Sequence, residues 1–284
     1  MKKIFLFPIL ISILLISCKS LTAITQEPEV TFDSARITSI NFNSVDFLFR
    51  YNVNNPNNAA INLERFKYDL IIEGNRFFSG VSPGPLSIAR RSISSVDIPV
   101  TIYYKELFNI FTNIYRQDTA NYTLATEFTI RVPIPFFNPT ISLEHSGTFP
   151  VLKMPDVALR DVRATGINML RGTATVEFAV DIINRNTFAI NPDSFNFDLS
   201  VNRSHLLSSV LRDIDALAPN RSTVVRIPVE ISVARVGAEL FNYIAGGNNL
   251  DVSLNGNMAV RTAFPGLGSA NIPFSIERNA PVSR

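Results

Sequence analysis

The sequence contains no tryptophan, one cysteine and two histidines in 284 residues. A lone thiol, Cys18, rules out any disulfide within the chain, so its folded parts rest on buried cores. His145 and His205 are isolated, with no Cys or second His at metal-ligand spacing, which argues against a zinc site. They also leave few candidate members for a Ser-His-acid triad. No G-x-S-x-G elbow, no P-loop and no G-x-G-x-x-G turn occurs. An excess of charge of one sign is missing too. The formal net charge is +2, and removing Lys2 and Lys3 leaves 24 basic against 24 acidic residues. With no basic face carrying aromatics, a nucleic-acid partner is not expected. These absences point away from an enzyme and away from any cofactor or metal.

The longest apolar run is also short. Lys2 and Lys3 precede Ile4 to Ile16, about a dozen residues, where a spanning helix needs roughly 20. The run closes on Leu15-Ile16-Ser17-Cys18, which is similar to the lipobox of bacterial lipoproteins. In that class the cysteine sulfur is diacylated and the preceding peptide removed. The resemblance implies a signal peptide over 1–17, lipidation at Cys18 and a polar tether over 18–27. It further implies a protein anchored by lipid to a membrane of the bacterial cell envelope, with its domains outside the cytoplasm.

The remainder is rich in alternating strands broken by asparagine and proline. Phe47, Phe49, Tyr51 and Val53 fall on every second position, the pattern of a strand with one buried face. Asn54, Asn55, Pro56, Asn57 and Asn58 interrupt it, and Phe66, Tyr68 and Leu70 resume it. The unit returns as Val176, Phe178, Val180 and Ile182, then Asn184, Arg185 and Asn186, then Phe195, Phe197 and Leu199. Positions 66 and 195, 69 and 198, and 99 and 228 share an offset of 129 (195 minus 66), so the chain is a duplicated β module. Pro99 and Pro228 recur in the same strand of each copy, which predicts an edge strand or a bulge there. Gly74-Asn75 reads as a hairpin turn.

One segment per copy has helical spacing: Tyr103 to Tyr115, and Val233 to Ile244 closed by Gly246-Gly247. Their aromatic stripes are read as core. Asp213 and Asp215 form a carboxylate pair suited to a cation or to acid–base work, though a solvated surface pair beside Arg212 is the simpler account. Asn55, Pro56, Asn57, Asn184 and Asn186 form a turn motif whose amides serve the backbone where the strand changes direction, a ligand site being the rival reading. The replacement of Pro56 by Arg185 between retained asparagines fits the structural role.

Taken in order, these elements resemble a known family. A Pro-acid-Val opening (Pro28-Glu29-Val30, Pro155-Asp156-Val157), Asn55-Pro56-Asn57, Phe66-x-Tyr68-x-Leu70, a hairpin at Gly80 and Ile98-Pro99-Val100 before one helix are similar to the type 2 late-embryogenesis-abundant proteins, or WHy (water stress and hypersensitive response) domain. The resemblance spans two tandem copies, 28–152 and 153–278, followed by a polar tail over 279–284. It implies an all-β chain of two immunoglobulin/fibronectin-III-like β-sandwiches, each with about seven strands and one short helix, and the strand count agrees. It also implies a non-enzymatic role in desiccation or stress tolerance. The alternative is an envelope binding module for an apolar ligand or a protein partner. The membrane, through the anchor, and envelope proteins are the partners expected, with the oligomeric state left open.

Overall fold

The computed structural model describes residues 26–82, 84–132, 138–262 and 264–283. Contacts divide these into two compact units: 26–38, 45–102 and 106–151 in one, and 39–44, 103–105 and 152–283 in the other. The architecture is all-β and tandem.

The first repeat runs β1 (Glu29–Ile40), β2 (Ser44–Asn55), β3 (Ile61–Ile72), β4 (Asn75–Val81), β5 (Leu86–Ile88), β6 (Ser92–Tyr103), α1 (Tyr104–Ile110), β7 (Thr119–Arg131) and β8 (Thr140–Pro150). Its sheets have the orders β1-β2-β6 and β4-β3-β7-β8, with β5 also on β3. Along β2 every second side chain from Val45 to Asn55 is buried, as the alternation requires. Those side chains meet the other sheet: Phe49 lies 5.6 Å from Tyr122, and Tyr51 5.1 Å from Phe128, between ring centroids. Each buried aromatic contributes roughly 1.5–3 kcal/mol by leaving water, and each such ring pair about 1 kcal/mol more.

The second repeat runs β9 (Asp156–Asn168), β10 (Thr173–Asn184), β11 (Ile190–Val201), β12 (Ser204–Leu211), β13 (Arg221–Ser232), α2 (Val233–Val236), α3 (Ala238–Ala245), β14 (Asn249–Thr262) and β15 (Ser269–Ser283). The same two orders reappear, β9-β10-β13 and β12-β11-β14-β15, now joined into one seven-stranded path. The join is parallel pairing of Val282 and Ser283 with Val162 and Arg163. Buried Phe195 stacks on half-buried Phe274 at 4.5 Å. Pro99 and Pro228 both sit on strands that end a sheet, the place where proline is tolerated because one side of the strand needs no ladder bonds.

The structure corrects several expectations. The polar tail is strand over its described residues: β15 continues to Ser283, with Ala280 and Val282 buried and Pro281 opposite Asn249. Polar neighbours masked a two-residue alternation there. Residue 26 is not part of a free tether, because Gln26 is already bonded to Asn57. The offset between repeats drifts rather than holding at 129. It is 127 between the clamp residues Gln26 and Lys153, 130 between Asn121 and Asp251 and 131 between Pro150 and Pro281 (153 minus 26, 251 minus 121, 281 minus 150). The helical segments are shorter than their spacing suggests. After α1 comes only a 3-10 turn at Ile114–Arg116, and the second helix breaks at Gly237, whose φ of +81° cannot continue a helix.

Candidate functional site

The two asparagine turns are the most organised polar groups in the molecule. Asn55 and Asn184 occupy the last inward position of β2 and β10, and both are 0 % exposed. The Asn55 amide donates to the carbonyls of Ala59 (2.9 Å), Ala89 (2.9 Å) and Ile88 (3.4 Å). The Asn184 amide donates to Phe188 (2.8 Å), Leu217 (2.9 Å) and Ala218 (3.3 Å). Their Oδ1 atoms accept from the backbone N–H of Asn57 (3.1 Å) and Asn186 (3.0 Å). Asn57 and Asn186 in turn bond both backbone groups of Gln26 and Lys153. Each turn thus ties together the end of one strand, the loop before β6 or β13 and the entry of its module. Buried amides engaged in this way have no donors left for a ligand. Pro56 lies between the paired asparagines, and its counterpart Arg185 makes an exposed ion pair with Asp156 at 2.6 Å.

A second clamp lies at the opposite ends of β3 and β11, in the first repeat at the hairpin turn that Gly74-Asn75 marks in the sequence. Glu73 and Gly74 turn with φ of +47° and +78°, as do Asn202 and Arg203 with +47° and +65°. Glu73 Oε1 accepts from the N–H of Asn121 at 2.7 Å, and Asn202 Oδ1 from the N–H of Asp251 at 2.9 Å. Gly74 marks the turn in the first repeat, while the clamping role of Glu73 and Asn202 has no local signal.

The other sequence candidates are scattered. Cys18 lies outside the described residues. His145 stacks on Phe32 at 3.8 Å with Phe49 and Tyr122 beyond it, and burial pushes its pKa down. His205 Nε2 lies 3.3 Å from the Ser208 hydroxyl, which donates to Asp198. A working triad needs the acid on the imidazole, whereas here it holds the serine proton on an exposed strand. Asp213 and Asp215 lie in the segment after β12, exposed, and among the described residues no three His, Cys, Asp or Glu side chains group as a metal site. The Tyr51 hydroxyl is the one buried side-chain polar atom among the described residues without a hydrogen-bond partner; burial raises its pKa, and the nearby Thr126 hydroxyl offsets part of that rise. Two open hollows, of about 570 and 320 Å³, are lined by Arg203, Asp251 and Glu277 and by Lys67, Asp69 and Glu127 respectively, among others. Charged and hydroxyl groups dominate the first, while in the second Tyr68, Val81, Ala125 and Leu143 add apolar lining.

Comparison with known proteins decides what these modules are. The family model described as Late embryogenesis abundant protein (LEA_2) matches residues 50–147 and again 179–278, together more than half of the chain. The chain belongs to this family. Each LEA_2 match covers most of one sandwich, beginning within β2 or β10 a few residues before the asparagine turn and ending within β8 or β15. The "Probable desiccation-related protein LEA14" of Arabidopsis thaliana is 28% identical over 114 residues, covering 40% of this chain and 75% of that protein. The "Desiccation protectant protein Lea14 homolog" of Glycine max is 25% identical over 131 residues, covering 46% and 86%. Each of these relatives therefore matches less than half of this tandem LEA_2 chain. A solved structure described as a protein from Archaeoglobus fulgidus covers 44% of this chain and 95% of its own at 13% identity, with a TM-score of 0.33. That likeness carries no argument.

Proposed function

We propose that this chain is a non-enzymatic protein of desiccation or stress tolerance, in which two LEA_2 sandwiches are held at a bacterial envelope membrane by lipid on Cys18. The observation that carries the reading is the family match in both repeats, together with relatives whose names are desiccation-related. The anchor rests on the apolar run ending at Leu15-Ile16-Ser17-Cys18. Two or three acyl chains, at about 0.8 kcal/mol per buried methylene, hold a protein stably at a bilayer. Tethering keeps both modules at high local concentration beside the surface to be protected.

The outer faces of the sheets suit that task. Thr123 and Ser146 pair at 2.8 Å, Asn196 and Asn257 at 3.0 Å, and Ser275 and Asn255 at 2.6 Å. Such neutral hydroxyls and amides offer donors and acceptors to neighbouring surfaces as water leaves. The rival reading, a binder of apolar ligands, has one hollow to draw on, where Tyr68, Val81, Ala125 and Leu143 share the lining with Lys67, Asp69, Glu127 and Glu144 in a shallow, open site. The test is survival of a deletion strain through drying and rehydration. Lost survival restored by the wild-type gene, and restored less by Cys18→Ala, is the expected result. Undiminished survival of the deletion strain overturns the reading.

A further inference from the structure

Six strands end a sheet path among the described residues: β1, β6, β4, β8, β12 and β13. A free edge offers unpaired backbone groups to any other strand, and proteins blunt such edges with charge or proline. Five of the six follow that rule: Asp33 and Arg36 on β1, Asp97 and Pro99 on β6, Arg76 on β4, Glu144 and Pro150 on β8, Arg226 and Pro228 on β13. The sixth, β12, reads Ser-His-Leu-Leu-Ser-Ser-Val-Leu, with neither device. Among the described residues it pairs on one side only, with β11.

We infer that β12 is a docking edge for a second copy of this chain, whose own β12 adds antiparallel across a two-fold axis at Ser209. The register on β11 sets which residues face inward. Leu211 lies opposite Phe195, Ser209 opposite Phe197 and Leu207 opposite Leu199, all three partners buried. Leu207, Ser209 and Leu211 therefore continue the core face, while Ser208 and Val210 face out, Val210 being 46 % exposed. An axis at Ser209 places Leu207 against the second copy's Leu211 and Ser208 against its Val210. Inward residues meet inward residues, as an extended sheet requires.

The flanking charges favour a self-pair. Arg203 precedes the strand, while Arg212, Asp213 and Asp215 follow it with a net negative charge. An antiparallel copy sets the Arg203 end of one against the Asp213–Asp215 end of the other. The Leu206 carbonyl already accepts from the Arg235 guanidinium, so the addition begins at Leu207. Pairing over so short a strand makes a weak dimer. The inference stands independently of the stress-tolerance reading.

The experiment is disulfide trapping in the full chain with Cys18→Ala, so that a cysteine introduced at 209 is the only thiol. Across the axis the Cβ atoms lie about 5 Å apart, within reach of a disulfide. Ser209→Cys gives a reducible homodimer under mild oxidation, whereas Ser95→Cys on β6 does not. Adding Val210→Lys lowers the dimer yield about tenfold, since it opposes a charge to the second strand, with the melting temperature unchanged. No dimer from Ser209→Cys, equal dimer from Ser95→Cys, insensitivity to Val210→Lys, or an adduct with a different protein in its place each overturns the inference.

Discussion

Lys153 and Asn186 hold each other by two hydrogen bonds, the Lys153 N–H donating to Asn186 Oδ1 at 2.9 Å and the Asn186 amide donating to the Lys153 carbonyl at 2.7 Å. Gln26 and Asn57 repeat the arrangement at 3.0 and 2.7 Å. In both repeats a buried side-chain amide stands in for a strand partner where the chain enters its sandwich. An amide serves because it presents a donor and an acceptor side by side, matching a backbone N–H and C=O.

Removing the amide one step further in has a large cost. Asn184→Ala leaves the carbonyls of Phe188, Leu217 and Ala218 without their side-chain donor in a buried place. The Leu217 carbonyl keeps the Ile190 N–H, so the loss falls mainly on the other two and destabilises by about 2 kcal/mol, read as a shift in urea midpoint. Asn55→Ala has a similar effect on the first unit. Pro56→Arg, which copies Arg185, costs less than about 1 kcal/mol because no bond of the clamp passes through the ring.

Arg203 holds a left-handed backbone, φ +65°, where Gly74 stands at +78° in the first repeat. A side chain in that region is strained by about 1 kcal/mol relative to glycine. Arg203→Gly therefore raises the melting temperature of the second unit by a few degrees, measured by calorimetry, and Gly74→Arg lowers that of the first.

His145 gives the first unit a pH dependence. Burial between Phe32 and its aromatic neighbours pushes its folded pKa below the usual 6.5. The unfolded chain then takes up the proton first as pH falls, so stability is full above about 6.5 and declines below it until the folded state also protonates. Ile276 faces Leu254 in β15 as His145 faces Leu124 in β8. His145→Ile is expected to flatten the urea midpoint between pH 7.5 and 5, whereas the wild-type midpoint falls.

Strand identity was legible wherever one face is buried, because alternation in β2 and β10 writes burial directly into the sequence. Pro99 and Pro228 likewise announced edges. What escaped had partners far along the chain. Nothing local marks Gln26 as the partner of Asn57, 31 residues away. The pairing of Val282 with Val162 joins the two ends of one module, a contact no short pattern encodes. Arg203 escaped because a long charged residue gives no turn signal. The amides at 55, 57, 184 and 186 stood out by composition, but only coordinates tell which carbonyls they serve.

The central claim is that two near-copies of one sandwich are each closed by their own buried asparagines. Hydrogen exchange read by mass spectrometry on Asn184→Ala tests it most directly. The account predicts faster exchange across 152–283, with protection between 45 and 102 and between 119 and 150 unchanged from wild type. Equal loss of protection in both halves would contradict it.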